Sequence, residues 1–320
     1  MAHRSDLTLR ILQTYDLDAR QSFANISRKL GPSRDAIRKV IKDLEASNTI
    51  RGYITVLDIG KLGYTAYAVY VRLDTTSEDK VKKLAEYLKK QSEIYWIATL
   101  GGRFDLLFAI QTKSVVQFSH ILSDIQRRFP FIADPQFAIR MRSTQFQRTY
   151  LSDRLTKRIQ GGFEARDEKE TITERERALL QLLVSNPQES VANIATHLQT
   201  TRVTALATLR RLETRGIIQG YSTLLSCVHL GYECYLLLIT LKRFDQSTRG
   251  SLRKFASQES AIIFCVETIG PWHTEFHCEV KNQRELQELV RKIRTSFAVE
   301  LASIESVPSF EYYIKYRLKV

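Results

Sequence analysis

The chain has 320 residues, of which 43% are apolar and 26% charged, so it can bury real cores in about two to four domains. This composition is that of a globular protein and excludes a chain too polar to fold. The formal net charge of +13 and the isoelectric point near 9.6 favour a polyanionic partner, nucleic acid first and an anionic membrane surface second.

Targeting and redox signals also narrow the class of protein. No apolar run approaches the roughly 18 residues that span a bilayer, and the first residues lack the apolar segment of a signal peptide. The cysteines all lie in the second half without Cys-x-x-Cys spacing, which predicts reduced thiols in a cytoplasmic protein with no membrane partner. They are Cys227, Cys234, Cys265 and Cys278.

One stretch of the sequence occurs twice. Segments 44–53 and 212–221 both run from Leu-Glu to Gly-Tyr, so position 212 corresponds to position 44, and both are followed in the same register by Leu-Gly-Tyr. Self-similarity at so long a period indicates duplicated domains. Each segment is predicted to end a helix, turn and begin a strand, with Asn48 and Gly216 at positive φ in the turn.

Residues 1–60 are predicted to form a winged helix-turn-helix domain. Apolar spacing predicts a helix over 6–17 and a second helix from Ser22, which a Gly-Pro pair ends. Ser33 is a good N-cap for a third helix. The apolar face of that helix consists of Ile37, Ile41 and Leu44.

Residues 61–149 are predicted to form a ferredoxin-like domain with the order β-α-β-β-α-β. The charged segment 150–172, which contains a Gly-Gly pair, is predicted to be an exposed linker. A second winged helix-turn-helix domain then occupies 173–228, and a second ferredoxin-like domain occupies 229–320, its last strand beginning at Phe310. The predicted fold class is therefore α+β, with two domains of each kind in tandem.

This layout resembles the leucine-responsive regulatory protein / AsnC family of transcription regulators, twice and over almost the whole chain. The features that carry the resemblance are the 44–53 motif, Leu62-Gly63, and Gly101-Gly-Arg-Phe-Asp105 between two strands. The family implies a sequence-specific regulator of double-stranded DNA, with a sheet domain that binds a small amino-acid-like effector and oligomerises. The fusion of two copies implies an intramolecular pseudo-dimer, alongside homo-oligomers.

The outer face of the third helix is the main candidate for DNA contact. Arg34, Arg38 and Lys42 recur at i, i+4 and i+8, with Ser33 at the cap. Arg34 and Arg38 are predicted to reach base edges, whereas Lys39 and Lys42 are predicted to reach phosphates. The alternative is an ordinary solvated helix face, but the helix-turn-helix context favours DNA.

The equivalent helix of the second copy has a different surface. Leu206 and Ala207 stand where Arg38 and Lys39 stand in the first. Two interpretations remain open, since this apolar pair can touch thymine methyl groups or pack on protein. The candidate DNA contacts in this copy are Thr201, Arg202, Arg210 and Arg211.

The resemblance places an effector site at the turn between two strands of the first sheet domain. Glycines there permit close backbone approach, and free amides can hold a carboxylate; the alternative is a plain hairpin. In the second copy, Thr274 takes the place of Asp105 and Pro271 removes a donor, so a family-type pocket is not expected there. The predicted effector residues are Gly101, Gly102, Arg103 and Asp105.

Neither a metal nor a cofactor is predicted. Cys278 points to the opposite strand face from His273 and His277, and no zinc spacing includes Cys265. The sequence also lacks a phosphate loop, a nucleophile elbow and a paired-carboxylate arrangement, so the main prediction is a regulator that is not an enzyme.

The alternative class is a tetrapyrrole enzyme. Siroheme decarboxylases share this two-part architecture, sometimes as fused pairs, and their pocket is rich in His, Arg and Tyr around the middle strands. The second copy, with Trp272-His273 and His277, fits that description better than the first. The basic third helix argues against it, because a decarboxylase has no need of a DNA-binding face.

The two sheets are predicted to pack on each other, or on those of a second chain, because a lone ferredoxin-like sheet leaves one face uncovered. Strand alternation selects the candidate contacts without deciding which face is buried. These residues are Val69, Val71, Ile97 and Phe108, with Leu237, Ile239, Phe264 and Phe276 as their partners.

Overall fold

The structure is a computed structural model that describes residues 6–151, 159–243 and 245–314. It is a mixed α+β fold, as predicted from the sequence. Within these residues, no helix has both the length and the apolar character needed to cross a membrane.

The N-terminal head consists of three helices and a strand. They are α1 (Asp6–Leu17), α2 (Phe23–Leu30), α3 (Arg34–Ala46) and β1 (Ile50–Leu57). The hydroxyls of Ser22 and Ser33 cap α2 and α3 by accepting from the backbone N–H three residues on, which confirms both predicted helix starts. Asn48 ends the head's helical part at a φ of 54°, also as predicted.

A second head repeats this plan. It comprises α6 (Glu174–Ser185), α7 (Val191–His197), α8 (Arg202–Thr214) and β7 (Ile218–Leu225). Strands β1 and β7 pair antiparallel, so the two heads share a two-stranded ribbon. Each head also takes core residues from the other half, since Leu225 packs with Ile11 and Leu57 packs with Leu179.

The remaining strands form one sheet to which both halves contribute. They are β2 (Thr65–Leu73), β3 (Ile94–Leu100), β4 (Leu106–Thr112), β5 (Ile132–Phe146), β6 (Ile159–Glu164), β8 (Glu233–Leu241), β9 (Ile262–Ile269), β10 (Thr274–Val280) and β11 (Leu301–Ile314). The order is β2-β4-β3-β11-β8-β10-β9-β5-β6, and β2 also pairs with β5. Eight strands therefore close on themselves, and β6 extends the ladder from β5.

The long strands β5 and β11 make this closure. The first part of β5 pairs with β2 of its own half, and its second part pairs with β9 of the other half. Strand β11 does the same with β8 and then β3. The predicted last strand of the second half was too short, because β11 begins at Leu301 rather than Phe310.

Four helices cover the outer faces of the closed sheet. They are α4 (Glu78–Lys90), α5 (Val115–Arg128), α9 (Gln246–Gln258) and α10 (Gln283–Ser296). Apart from Phe264, the residues predicted to lie between the sheets face these helices, as Val69 does with Leu84. The inner face instead buries Tyr70, Leu238 and Trp272. Because both faces of these strands are apolar, alternation alone could not select the correct one.

The predicted exposed linker is wrong for 159–164, while 152–158 lie outside the described residues. Residues 159–164 form the edge strand β6, paired with β5. The glycines that looked like loop residues have φ of 151° and 154° within that strand. Beyond it, Glu170 forms ion pairs with Lys61 (3.0 Å) and Arg215 (2.9 Å), which hold the segment against both halves.

The prediction of four reduced cysteines is also wrong for one pair. Cys227 and Cys234 are joined by a disulfide bond, whereas Cys265 and Cys278 are buried and lie outside it. The paired cysteines are seven positions apart in sequence, flanking a short 3-10 helix (Val228–Leu230) that brings the chain back on itself. Spacing alone could not reveal this proximity.

Candidate functional site

A cleft opens on the inner face of the closed sheet, beneath the β1–β7 ribbon. The space between its atoms is about 1120 Å³ when the open mouth is included. Aromatic side chains form its walls, namely Tyr95, Trp96, Phe163, Tyr235 and Phe264. Polar groups project between them, namely Arg140, Gln145, Arg148, His277 and Glu279.

A buried ion pair from the two halves lies at the inner end of this cleft. Arg140 Nη2 on β5 is 2.8 Å from Glu275 Oε2 on β10, and Glu275 is fully buried. Arg140 Nη1 also donates to Tyr95 Oη at 3.2 Å, and Trp272 Nε1 donates to Glu275 Oε1 at 3.0 Å. Burial by itself raises the pKa of Glu275, but Arg140 and the neighbouring donors outweigh it and hold the pKa at about 2.

His277 follows Glu275 on the same face of β10 and lines the cleft. Its ring stacks on Trp96 at a centroid distance of 5.0 Å and contacts Phe264 at 5.5 Å. Nε2 is 3.6 Å from Glu275 Oε2 and, within the described residues, makes no hydrogen bond. Burial lowers the pKa of His277 below its ordinary 6.5, so the imidazole is neutral at pH 7 in the absence of a ligand.

A second polar cluster lies nearer the heads. Arg148 binds Glu279 through two nitrogens, at 3.0 and 3.1 Å, and reaches Asp16 of α1 at 3.3 Å. Tyr150 also donates to Glu279, and Ser222 donates to Asp16 at 3.1 Å. This cluster joins the N-terminal head, the ribbon and the sheet, so the shape of the cleft depends on how the heads sit on it.

The two halves do not carry the same residues at equivalent ladder positions. Strands β4 and β10 occupy equivalent places, Phe108 pairing with Ile97 as Phe276 pairs with Cys265. At the offset that relates position 212 to position 44, the first-half counterparts of Glu275, His277 and Glu279 are Leu107, Ala109 and Gln111. Ala66 and Cys234 are equivalent at the same offset. Arg140 pairs with Ala66, and Ser309 pairs with Cys234. Ser309 is therefore the counterpart of Arg140. The chain therefore carries this polar set once.

The residues predicted to contact DNA lie on helix surfaces outside the cleft. On α3, the whole predicted set is exposed, and Arg38 makes one surface ion pair with Asp35 at 2.7 Å. The predicted residues of α8 are exposed too, but Arg211 pairs with Glu176 at 2.8 Å within its own head. DNA contact by either helix stays a prediction.

The predicted effector turn is occupied by contacts within the protein. Gly101 N donates to Pro308 O at 3.0 Å, Arg103 pairs with Glu305 at 3.0 Å, and Asp105 accepts from Leu73 N at 2.7 Å. The predicted effector residues all belong to the described part of the chain, and none of them lines the cleft. Gly102, within this turn, has a φ of 79°. An effector role for this turn stays a prediction.

The proposed counterpart of Asp105 in the second half needs correction. His273, rather than Thr274, accepts from the last residue of the equivalent strand, Leu241 N, at 2.9 Å. The two turns then align at the common offset, and Phe104 and Trp272 meet across the interface with ring centroids 6.2 Å apart.

Sequence reasoning missed most of the cleft. The sequence pointed to His277 only through the alternative tetrapyrrole class, and it did not predict a role for Glu275, Arg140 or Arg148. One signal was available: Glu275, His277 and Glu279 alternate on a single face of an otherwise apolar strand. Three polar side chains at spacing two on a buried strand face indicate a lined cavity rather than a core.

One solved fold covers nearly the whole chain. The siroheme decarboxylase NirDL matches with a TM-score of 0.61 and 14% identity, over 98% of this chain and 94% of that one. NirDL in complex with an iron-uroporphyrin III analogue matches equally well, over 97% of this chain. This likeness contradicts the prediction of a protein that is not an enzyme, because the fold shared over the full length is that of a decarboxylase.

Sequence relatives cover one part of the chain. No protein-family model matches it. A proline dehydrogenase transcriptional activator of Rhizobium radiobacter is 25% identical over 150 residues, which are 45% of this chain and 96% of the relative. The regulator LrpA of Pyrococcus horikoshii is 32% identical over 114 residues, 36% of this chain and 79% of the relative. On this sequence relationship, the chain belongs to the Lrp/AsnC family.

Proposed function

We propose that the protein binds a carboxylate-bearing tetrapyrrole in the cleft and removes carboxyl groups from its side chains, the activity for which NirDL is named. The observation that carries the proposal is His277, a cleft-facing imidazole with an unpaired ring nitrogen beside the buried Arg140–Glu275 pair. The likeness of the whole fold to NirDL supports the same assignment.

The lining of the cleft suits a flat, acidic macrocycle. Aromatic walls such as Trp96 and Phe163 offer stacking surfaces for a π-system. Arg140 keeps its buried Nε without a hydrogen-bond partner among the described residues, so a ligand carboxylate has a charged donor to bind.

His277 is the group that supplies the proton. When an acetate side chain loses carbon dioxide, the bond between its methylene and carboxyl carbons breaks, the electron pair stays on the macrocycle side, and one proton converts the methylene to a methyl group. The bound carboxylates raise the pKa of His277 by adding negative charge, which offsets the lowering by burial. The rings of Trp96 and Phe264 hold the imidazole in position, and Glu275, held by Arg140 and Trp272, lies 3.6 Å from its Nε2.

The test is anaerobic incubation of the full chain with siroheme, with the product identified by mass spectrometry. We expect a mass loss corresponding to carbon dioxide, and a rate that falls as the pH rises because the step consumes a proton. His277→Ala should lower the rate by roughly 10²–10⁴-fold, the contribution of a positioned acid, while the absorbance of bound siroheme still saturates.

The matched control is His120→Ala, because His120 is exposed on α5, away from the cleft. It should retain the wild-type rate. Siroheme recovered unchanged from the wild type, or equal rates in both histidine variants, contradicts the proposal.

We propose DNA binding by the first head as a second activity. Its support is the exposed α3 face with Arg34, Arg38, Lys39 and Lys42, together with relatives named as transcriptional regulators. Such a face can occupy the major groove without involving the cleft.

Duplex affinity should then fall by about 0.9 decades per decade of salt for each phosphate neutralised. Arg34→Ala with Arg38→Ala should abolish binding, whereas Arg202→Ala with Arg210→Ala should only weaken it. Arg284→Ala, on the exposed surface of α10, is the control. Gel-shift titrations measure all three; affinity that ignores salt, or equal losses in the two head variants, counts against a leading role for α3.

A further inference from the structure

Three potential metal ligands converge at the edge of the cleft. Cys227 follows β7, Cys234 is the second residue of β8, and Glu279 lies directly opposite Cys234 on β10. Their sulfur and carboxylate oxygen atoms all lie within 4.8 Å of one another. Cys234 and Glu279 also line the cleft, so the cluster has an open side.

The fold does not require a disulfide at this place. At the same offset between the two halves, the first-half counterparts of Cys227, Cys234 and Glu279 are Ile59, Ala66 and Gln111. Ile59 and Ala66 are fully buried and pack as ordinary core residues. The same turn and strand start are therefore stable with apolar side chains, and the two thiols and the carboxylate occur together only in the half that bears His277.

The charges around the cluster favour a cation. Asp16, Glu279 and Arg148 are all buried and in contact, which leaves one negative charge in excess within this group. Arg148 holds both oxygens of Glu279, donating from Nε to Oε2 at 3.0 Å and from Nη2 to Oε1 at 3.1 Å, and Tyr150 Oη donates to Oε2 as well. A carboxylate oriented by such donors keeps lone pairs with which it can bind a metal, the usual outer-shell arrangement.

We propose that reduced Cys227 and Cys234, together with Glu279, bind one thiophilic divalent cation of the zinc class, and that the disulfide is the oxidised form that closes this site. Thiolate and carboxylate ligands bind zinc at roughly 2.0–2.3 Å, which places ligand atoms about 3.5–4 Å apart in a tetrahedron. The present separations are within reach of that geometry once the sulfur–sulfur bond is broken. Three protein ligands leave a fourth position on the cleft side.

Opening the site requires an external reductant, because the disulfide must gain two electrons. A phosphine transfers two electrons to the disulfide, two protons enter to give two thiols, and the phosphine leaves as its oxide with oxygen from water. Binding of the metal then releases the two thiol protons. Neither step involves the tetrapyrrole, so this inference stands apart from the proposed decarboxylation.

The test uses the full chain, reduced with a phosphine without oxygen and titrated with cobalt(II) as a spectroscopic substitute for zinc. We expect one cobalt ion per chain, a near-ultraviolet thiolate-to-cobalt charge-transfer band, visible bands of tetrahedral cobalt, and displacement of both by zinc. The oxidised protein should show none of these. Glu279→Gln, which copies Gln111, should weaken binding by more than the roughly 10–100-fold seen when an outer-shell partner is lost.

Cys227→Ile with Cys234→Ala copies the residues of the first half and should fold while binding no cobalt. Circular dichroism of this variant separates loss of the site from loss of the fold; if it does not fold, Cys227→Ser alone, which keeps a small polar side chain, replaces it. Reduced protein that takes up no cobalt, or charge-transfer bands that persist in the cysteine variants, overturns the proposal.

Discussion

At the scale of single residues, the site depends on buried charges that come together from distant parts of the sequence. Arg140 and Glu275 are 135 positions apart in the sequence. Only the folded structure shows that they form a buried ion pair. An isolated buried charge is strongly disfavoured, so such residues are expected in pairs. The sequence displayed Glu275 and His277 on one strand face, but it could not show that Arg140 of the other half lies beside them.

Glu275→Gln should change both the stability and its pH dependence. The folded pKa of Glu275 is about 2 against an ordinary 4.5, so this carboxylate contributes stability that is complete above pH 4.5 and is lost as the pH falls toward 2. A shift of that size is worth roughly 3 kcal/mol. At pH 7 the variant should lose roughly 3–5 kcal/mol, because Arg140 is left buried without its partner.

Urea denaturation at a series of pH values measures this effect. Glu288→Gln, on the exposed surface of α10, is the control and should follow the wild type. If the Glu275 variant shows the same pH dependence as the wild type below pH 4.5, the ion pair does not hold the carboxylate as described.

At the scale of elements, capping and turn chemistry were readable from the sequence. The hydroxyls of Ser22 and Ser33 and the backbone of Asn48 act locally, so the residues that determine them are adjacent in sequence. Strand β6 was missed because Gly161 and Gly162 resemble a flexible loop. Glycine within a strand instead marks a close approach of another backbone, which only the assembled sheet reveals.

Gly162→Ala should therefore disrupt the wall of the cleft. A Cβ at this position would lie 1.8 Å from the backbone oxygen of Ser143, and the φ of 154° disfavours a side chain. We expect a loss of at least roughly 1–3 kcal/mol, since neither backbone can move without breaking the β5–β6 ladder.

The matched control is Gly250→Ala. Gly250 lies within α9 with nothing inside 4 Å of the added carbon, so alanine should stabilise the protein by roughly 0.5–1 kcal/mol. Thermal and urea unfolding measure both variants. A Gly162 variant as stable as the wild type would show that β6 does not pack as described.

At the scale of the whole molecule, two heads of similar plan and one closed sheet surround the cleft, whose polar set occurs once within the described residues. The long-period repeat and the α+β fold were visible in the sequence, because both depend on periodicities within each half. The cleft was not visible in the sequence, because it forms only when β5 and β11 each pair with a strand of the other half. Once those ladders are known, Ser309, Leu107 and Ala109 can be recognised as the counterparts of Arg140, Glu275 and His277.

We propose that one cleft per chain, with side chains from both halves, binds a carboxylated tetrapyrrole. The matched variant replaces the polar set by its counterparts: Arg140→Ser, Glu275→Leu and His277→Ala together. Because both members of the buried ion pair are removed at once, no unpaired charge is left and the fold should persist.

The most direct measurement is an absorbance titration of the wild type and this triple variant with siroheme, under anaerobic conditions, with circular dichroism as the check on folding. We predict one siroheme per wild-type chain and no saturable binding by the folded triple variant. Two ligands per chain, or equal binding by the two proteins, would contradict the account.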